Sequence, residues 1–185
     1  MRVISGVVRG RRLKTVKGLD TRPTSDRIKE NLFNILGQDI VGTRFLDLFA
    51  GSGAIGIEAL SRGATEAVFV ERSRSAALVL KNNLEHTGLQ GPVMVLDAFR
   101  ALEVLARQER QFDMVFLDPP YYKELAAKAL HSLDVGSLLA AQALVIAEVG
   151  RKEDIPGHLL NLVLTRKETY GDTCLAFFRV REDMR

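Results

Sequence analysis

Phe45-Leu46-Asp47-Leu48-Phe49-Ala50-Gly51-Ser52-Gly53-Ala54-Ile55-Gly56 is the stretch on which the fold turns. A short apolar run opens it, and three glycines in G-x-G-x-x-G spacing lead into Ala54 to Arg62, a segment of helical composition. In a strand-to-helix turn, glycines permit a tight reversal, close approach of backbone to a ligand, and close packing of helix on sheet. The same rhythm continues downstream. Apolar runs at Ala67 to Val70, Val93 to Leu96, Met114 to Leu117 and Leu144 to Val149 predict strands, with helices over Ser75 to Glu85 and Ala98 to Gln108. Such alternation implies right-handed crossovers and a mostly parallel α/β sheet covered on both faces. Leu162 to Tyr170 and Thr173 to Val180, separated by Gly171-Asp172, predict a terminal antiparallel hairpin that completes seven strands.

Upstream, Ile28, Leu32, Ile35 and Leu36 recur at helical spacing after Thr24, and Gly37 ends the pattern. Val3, Ser5 and Val7, then Leu13 and Val16, form two extended runs joined by Arg9-Gly10-Arg11-Arg12. This predicts a small basic β-hairpin over residues 1–22, appended to a main domain over 23–185. The first thirty residues hold nine Lys or Arg against three acids, within a chain of net charge +3, so the remainder is net acidic. A basic arm on an acidic body suits a polyanion met by one end of the molecule; a solvated hairpin would look the same.

With 185 residues, 46% of them hydrophobic, the chain can bury one core, which excludes disordered and collagen-like classes. Its single cysteine, Cys174, excludes an internal disulfide. No Cys-x-x-Cys occurs, and His86, His131 and His158 share no helical spacing, so no metal is expected. The N-terminus lacks an apolar core of signal-peptide type, and the longest apolar stretch, Leu138 to Val149, contains Gln142 and Glu148. The expectation is a cytoplasmic protein with no membrane partner.

Ligands of open parallel sheets sit beyond the carboxyl ends of the strands. Glu71 follows the second run and lies 20 positions after Gly51, where an acid accepts hydrogen bonds from both ribose hydroxyls. With Phe49, Gly51 and Gly53, this signals an adenosine-bearing cofactor, either a nicotinamide dinucleotide or S-adenosylmethionine. Asp47 favours the second, because a carboxylate at that depth attracts an ammonium and repels a pyrophosphate. Asp97 can accept from the adenine amine, with Ala98 or Phe99 against the ring; it is equally suited to cap the next helix.

After the fourth run come Asp118-Pro119-Pro120-Tyr121. Two prolines stiffen the backbone and remove two donors, so the Asp118 carboxylate and the Pro119 carbonyl can converge as acceptors on an exocyclic amine. Tyr121 offers a face on which an extracted base stacks. A rigid turn with a packed tyrosine is the competing interpretation.

In that order and on successive strands, Asp47 to Gly56, Glu71, Asp97 and Asp118 to Tyr121 resemble the Rossmann-like S-adenosylmethionine-dependent methyltransferases of exocyclic amines. Arg2-Val3-Ile4-Ser5-Gly6, Arg9 to Leu13, Arg22-Pro23-Thr24-Ser25-Asp26-Arg27 and Leu32-Phe33-Asn34 narrow the resemblance to the bacterial 16S rRNA guanine-N2 methyltransferases of the RsmD family, over essentially the full chain. The resemblance implies S-adenosylmethionine as cofactor and, as partner, 16S rRNA within the small ribosomal subunit or its assembly intermediate. It also implies that Asp118 and Pro119 grip the guanine amine, Tyr121 stacks on the base and Tyr122 forms a second wall. The basic arm can then hold flanking phosphates, through Arg9, Arg11 and Arg12 at the hairpin turn first, with Lys14, Lys17 and Arg22 behind them.

Three rivals stand beside it. A DNA adenine-N6 methyltransferase shares the core but usually adds a target-recognition region for which no residues remain. A dehydrogenase explains the glycines and Glu71 but leaves Asp47 and the Asp-Pro-Pro-Tyr turn without a role. An inactive RNA-binding assembly factor would keep the fold and the basic arm alone.

Overall fold

The computed structural model describes residues 1–15, 26–157 and 159–181; Val16, Lys17, Arg22, His158 and the proposed helix start at Thr24 lie outside the described residues. Seven strands, β1 (Arg44–Asp47), β2 (Glu66–Val70), β3 (Val93–Met94), β4 (Phe112–Leu117), β5 (Leu139–Gly150), β6 (Leu162–Tyr170) and β7 (Thr173–Val180), form one sheet in the order β3-β2-β1-β4-β5-β7-β6. β3 through β5 run parallel, while β7 lies antiparallel between β5 and β6. The helices are α1 (Asp26–Leu36), α2 (Ala54–Ser61), α3 (Arg74–Thr87), α4 (Ala98–Arg107) and α5 (Leu125–Val135).

Period-two alternation divides the core. Phe45, Phe69, Met114 and Phe116 face a cluster that includes Leu32 and Phe33 of α1, Ile57 of α2 and Leu80 of α3. Leu46, Val68, Val115 and Leu117 face Leu102 and Leu105 of α4 and Leu130 and Leu133 of α5. Central parallel strands buried on both faces read as unbroken apolar runs, which is why they were conspicuous in the sequence.

Gly56 shows how tightly α2 lies on the sheet. A Cβ there would stand 2.3 Å from Cε1 of Phe69, whose ring is fully buried. Gly56→Ala is therefore expected to destabilise the fold by ~1–3 kcal/mol through overpacking, despite a gain of up to ~1 kcal/mol in helix propensity. Thermal unfolding checks this; a variant melting with the parent would mean that the ring has room to move.

The structure departs from the sequence pattern at three places. Among the described residues, the N-terminal hairpin has a single antiparallel bridge, Arg2 to Arg12, instead of two strands. Gly6 and Gly10, at φ 86° and 84°, turn the chain between them, and Val7 is 81% exposed at the tip. Second, β3 spans only two residues, and β5 starts five residues earlier than its apolar run. Third, α5 went unread: its N-cap, Glu124, adopts a left-handed φ of 55° and makes no side-chain cap, and its Ala- and Leu-rich sequence merges into the apolar run that follows.

The described part of the arm packs against the domain. Val3 and Leu13 join the α1–α3 side of the core. Glu58 of α2, fully buried, accepts the amides of Ile4 (2.8 Å) and Ser5 (3.0 Å) and pairs with Arg62 (2.8 Å) and Lys29 (3.5 Å). The Lys29 ammonium also donates to the Arg2 carbonyl. Burial lowers the Lys29 pKa, with Glu58 opposing that shift. Removing one partner would leave a buried charge unmatched, which is costlier than the net gain from the pair.

Candidate active site

β1 has β2 on one side and β4 on the other, so the strand order reverses beside Asp47, which pairs with Phe69 and Phe116. A cleft of about 460 Å³ opens at this reversal, bordered by Asp47 to Ser52, Glu71 to Ser73, Leu96 to Phe99, Asp118, Pro120, Lys123 and, from the arm, Met1 and Thr15. Reversal points of this kind are where open sheets hold ligands.

Its floor is the glycine turn. Gly51 and Gly53 have φ of 53° and 81°, a left-handed backbone that favours glycine. A Cβ on Gly53 would also meet Cγ of Leu80 at 2.8 Å. Glu71 pins the turn: its Oε2 accepts the Gly51 amide at 2.9 Å and its Oε1 accepts the Ser73 amide at 2.7 Å. Each carboxylate oxygen has a second lone pair, so hydroxyl donors can still be accepted.

Asp47 is buried, and its Oδ2 accepts the Gly56 amide at 3.0 Å. It therefore anchors the first turn of α2 as well as facing the cleft. Desolvation pushes its pKa up to about 7, against the pull of the Gly56 hydrogen bond and with added repulsion from Glu71. Asp97 caps α4, its Oδ1 accepting the Phe99 amide at 2.9 Å, while remaining exposed at the cleft edge. Its two suggested roles are compatible. Phe49 and Ala98 also border the cleft.

Around the Asp-Pro-Pro-Tyr turn, Asp118 and Pro120 form cleft wall, whereas Pro119 is buried. Tyr121 lies beyond them. Its hydroxyl donates to Oε1 of Glu148 at 3.0 Å and lies 3.1 Å from Oγ1 of Thr173. Burial, then the neighbouring Glu148 charge, holds this phenol above its usual pKa, so it stays a proton donor. Tyr122 stands edge-on to it, 6.2 Å between centroids. Tyr122 is 63% exposed with φ 59°, and its ring crosses Gly150, where a Cβ would lie 2.6 Å from Cζ. Glu148 and Thr173, which fix Tyr121, went unnoticed in the sequence because they lie in apolar strands far along the chain.

Arg9, Arg11, Arg12 and Lys14 are exposed on the arm. The sequence overlooked Thr15 and Ser73 at the cleft, and Asn83 beneath it. Proximity of Ser73 to Glu71 was a readable signal; Asn83, within α3, offered none. Among the described residues, no three His, Cys, Asp or Glu side chains cluster to hold a metal, and no helix is long and apolar enough to cross a membrane.

A sheet of this order, with a glycine turn and an Asp-Pro-Pro-Tyr turn meeting at its switch point, defines the Rossmann-like class of S-adenosylmethionine-dependent methyltransferases. Within that class, the family model described as Conserved hypothetical protein 95 matches residues 1–179, and the chain belongs to that family, the RsmD family. YlbH of Bacillus subtilis (strain 168) is 47% identical over 184 residues, covering 98% of this chain and 100% of that protein. Ribosomal RNA small subunit methyltransferase D of Escherichia coli (strain K12) is 35% identical over 179 residues, covering 97% and 89%. The solved structure of yhhF from Escherichia coli superposes with a TM-score of 0.86 at 34% identity, covering 98% of each chain.

Proposed function

We propose that this chain is an S-adenosylmethionine-dependent methyltransferase of small-subunit ribosomal RNA and that its acceptor is the exocyclic N2 amine of a guanine. The observation that carries the proposal is the meeting of Asp47, Glu71, Asp97 and Asp118 around one cleft. Four carboxylates repel the phosphates of a dinucleotide and suit a ligand with an ammonium, ribose hydroxyls and an adenine amine. Asp47 would face the ammonium, Glu71 the ribose, Asp97 the adenine amine, and Phe49, Gly51, Gly53 and Ala98 the body of the cofactor. S-adenosylmethionine supplies an electrophilic methyl group.

Asp118 and the Pro119 carbonyl would accept the two N–H bonds of the guanine amine and turn its lone pair toward that methyl. That nitrogen would take the methyl from the cofactor, which keeps the electron pair of the bond it gives up. The nitrogen then becomes acidic and loses a proton to Asp118 or water. Tyr121, held by Glu148 and Thr173, and Tyr122 beside it would wall the extruded base, a contact worth ~1–3 kcal/mol. A base in a single-stranded loop reaches such a pocket at less cost than one in a duplex.

Membership of a family that includes a ribosomal RNA small subunit methyltransferase D supports RNA over DNA as substrate. The arm supports it independently, because Met1 and Thr15 of the arm border the cleft while Arg9, Arg11 and Arg12 stand exposed. Radiolabelled methyl transfer to unmethylated small subunits, followed by nucleoside mass spectrometry, tests the proposal: N2-methylguanosine is expected, and label in DNA, on adenine or in neither would refute it.

Phosphate contacts position an enzyme and make its binding salt-dependent. Arg11→Glu with Arg12→Glu is therefore expected to raise KM for the ribosomal particle at least ~10-fold and flatten its salt dependence, leaving cofactor Kd unchanged. Steady-state kinetics at two salt concentrations and calorimetry measure these effects; an unaltered KM would remove the arm from the RNA site.

A further inference from the structure

We propose that Asn83 couples the basic arm to the glycine turn, so that cofactor and RNA each favour the binding of the other. The inference rests on the functional reading above. Asn83 lies one turn before the C-terminus of α3 and is 1% exposed. Its Oδ1 accepts the Lys14 amide at 2.9 Å, and its Nδ2 donates to the Lys14 carbonyl at 2.9 Å and to the Ser52 carbonyl at 2.9 Å. Both N–H bonds are thereby used. One side chain pairs with a residue of the arm as a neighbouring strand would, and its remaining donor holds the turn between Gly51 and Gly53.

Both ends of this connection reach the cleft. Ser52 borders it directly, and so does Thr15, the residue after Lys14. Met1, also at the cleft, accepts the Leu13 amide at 3.0 Å. The arm is also fastened through Glu58, Lys29 and Ser61, and Arg11 donates to the His86 carbonyl of α3 at 3.4 Å. Asn83 is thus a polar link from Lys14 of the arm to Ser52 of the glycine turn. A ligand that orders Ser52 restricts Lys14 through it, and RNA held by Arg9, Arg11 and Arg12 restricts the same segment from the other side. When one ligand has already ordered a shared segment, the second loses less freedom on binding, and the resulting coupling is reciprocal.

A buried asparagine that merely satisfies its own hydrogen bonds would contribute stability without coupling, so the test measures communication. Hydrogen exchange is followed at the Leu13, Lys14, Gly51 and Gly53 amides with and without S-adenosylhomocysteine, the demethylated cofactor. In the parent, this ligand is expected to slow the Leu13 and Lys14 amides at least ~5-fold; in Asn83→Ala it slows Gly51 and Gly53 as before while the arm amides barely respond. Correspondingly, S-adenosylhomocysteine tightens parent binding to unmethylated small subunits ~5-fold or more, and this gain disappears in the variant. Arm amides that respond equally in the variant overturn the proposal.

Indifferent arm amides in the parent overturn it too, and that measurement needs no variant to fold. Asn83→Asp, which keeps an acceptor for the Lys14 amide but loses both donors, is expected to behave like Asn83→Ala. If the parent's Gly51 and Gly53 amides also ignore the ligand, the cofactor reading itself fails. If they respond while Lys14 does not, only the coupling fails.

Discussion

Asp118→Ala is expected to lower the rate of methyl transfer by about a thousandfold while cofactor Kd stays near that of the parent, because Asp118 acts on the amine and not on the turn that holds the cofactor. The side chain borders the cleft from the end of β4, across from the Gly51 loop pinned by Glu71. In the ground state a carboxylate there accepts a hydrogen bond from a neutral amine. As the nitrogen takes the methyl it becomes cationic, and the interaction becomes one of charge with charge, worth about 4 kcal/mol at 4 Å and an effective dielectric of 20. Only interactions that strengthen toward the transition state accelerate the chemical step. Asp118→Asn keeps an acceptor but loses the charge, so its rate should fall between the two, roughly a hundredfold below the parent. Single-turnover transfer of a radiolabelled methyl, with calorimetry for the cofactor, separates the quantities. An Ala variant turning over within tenfold of the parent would remove Asp118 from the mechanism.

The contrast between Asp118 and its neighbour Tyr121 shows what a sequence can disclose. Glu71, Asp97 and Asp118 were legible as cleft residues because parallel sheets present side chains at a predictable place, the residue after each apolar run, and Asp47 because it interrupts the first such run. β1, β2 and β4 were legible because their central residues, Phe45-Leu46, Ala67 to Val70 and Met114 to Leu117, are buried on both faces and therefore apolar. The partners of those side chains were not legible. The carboxylate that holds Tyr121 comes from β5, 27 residues on, and the hydroxyl from β7, 52 residues on. Asn83 reaches Lys14 across 69 residues and Ser52 across 31. Each pairing depends on how helices and strands pack, and local spacing carries no record of it. α5 was hidden for a different reason, since it begins without a side-chain cap and runs into another apolar stretch. The arm reads as two strands because Val3, Ser5 and Val7 alternate, whereas Gly6 turns the chain there at φ 86° and packs so closely that a Cβ would fall 1.7 Å from the Ser61 carbonyl oxygen.

Cofactor affinity is expected to fall about tenfold per pH unit below 7, and the group responsible is Asp47. Its carboxyl is buried, holds the Gly56 amide, and has its pKa raised to about 7, chiefly by desolvation. An ammonium placed beside it requires the ionised form, so binding must expel the proton whenever the carboxyl starts protonated. In the ligand-free protein, the raised folded-state pKa means that the native state binds this proton more tightly than the unfolded chain. The contribution to stability is therefore greatest below about pH 4 and is lost as pH rises to about 7, a cost of roughly 4 kcal/mol in all. Asp47→Asn retains an acceptor for the Gly56 amide and carries no charge. It should bind S-adenosylmethionine about a hundredfold more weakly than the parent at pH 8, and the gap should close by about pH 5, where the parent is itself neutral at this position. Without ligand, the same variant should gain stability relative to the parent as pH rises from 4 to 7. Calorimetric Kd and melting temperature measured across that range test both halves together. A parent whose Kd does not change with pH, alongside an Asn variant of equal affinity, would show that Asp47 serves only to anchor α2 and that the cofactor's cation is met elsewhere.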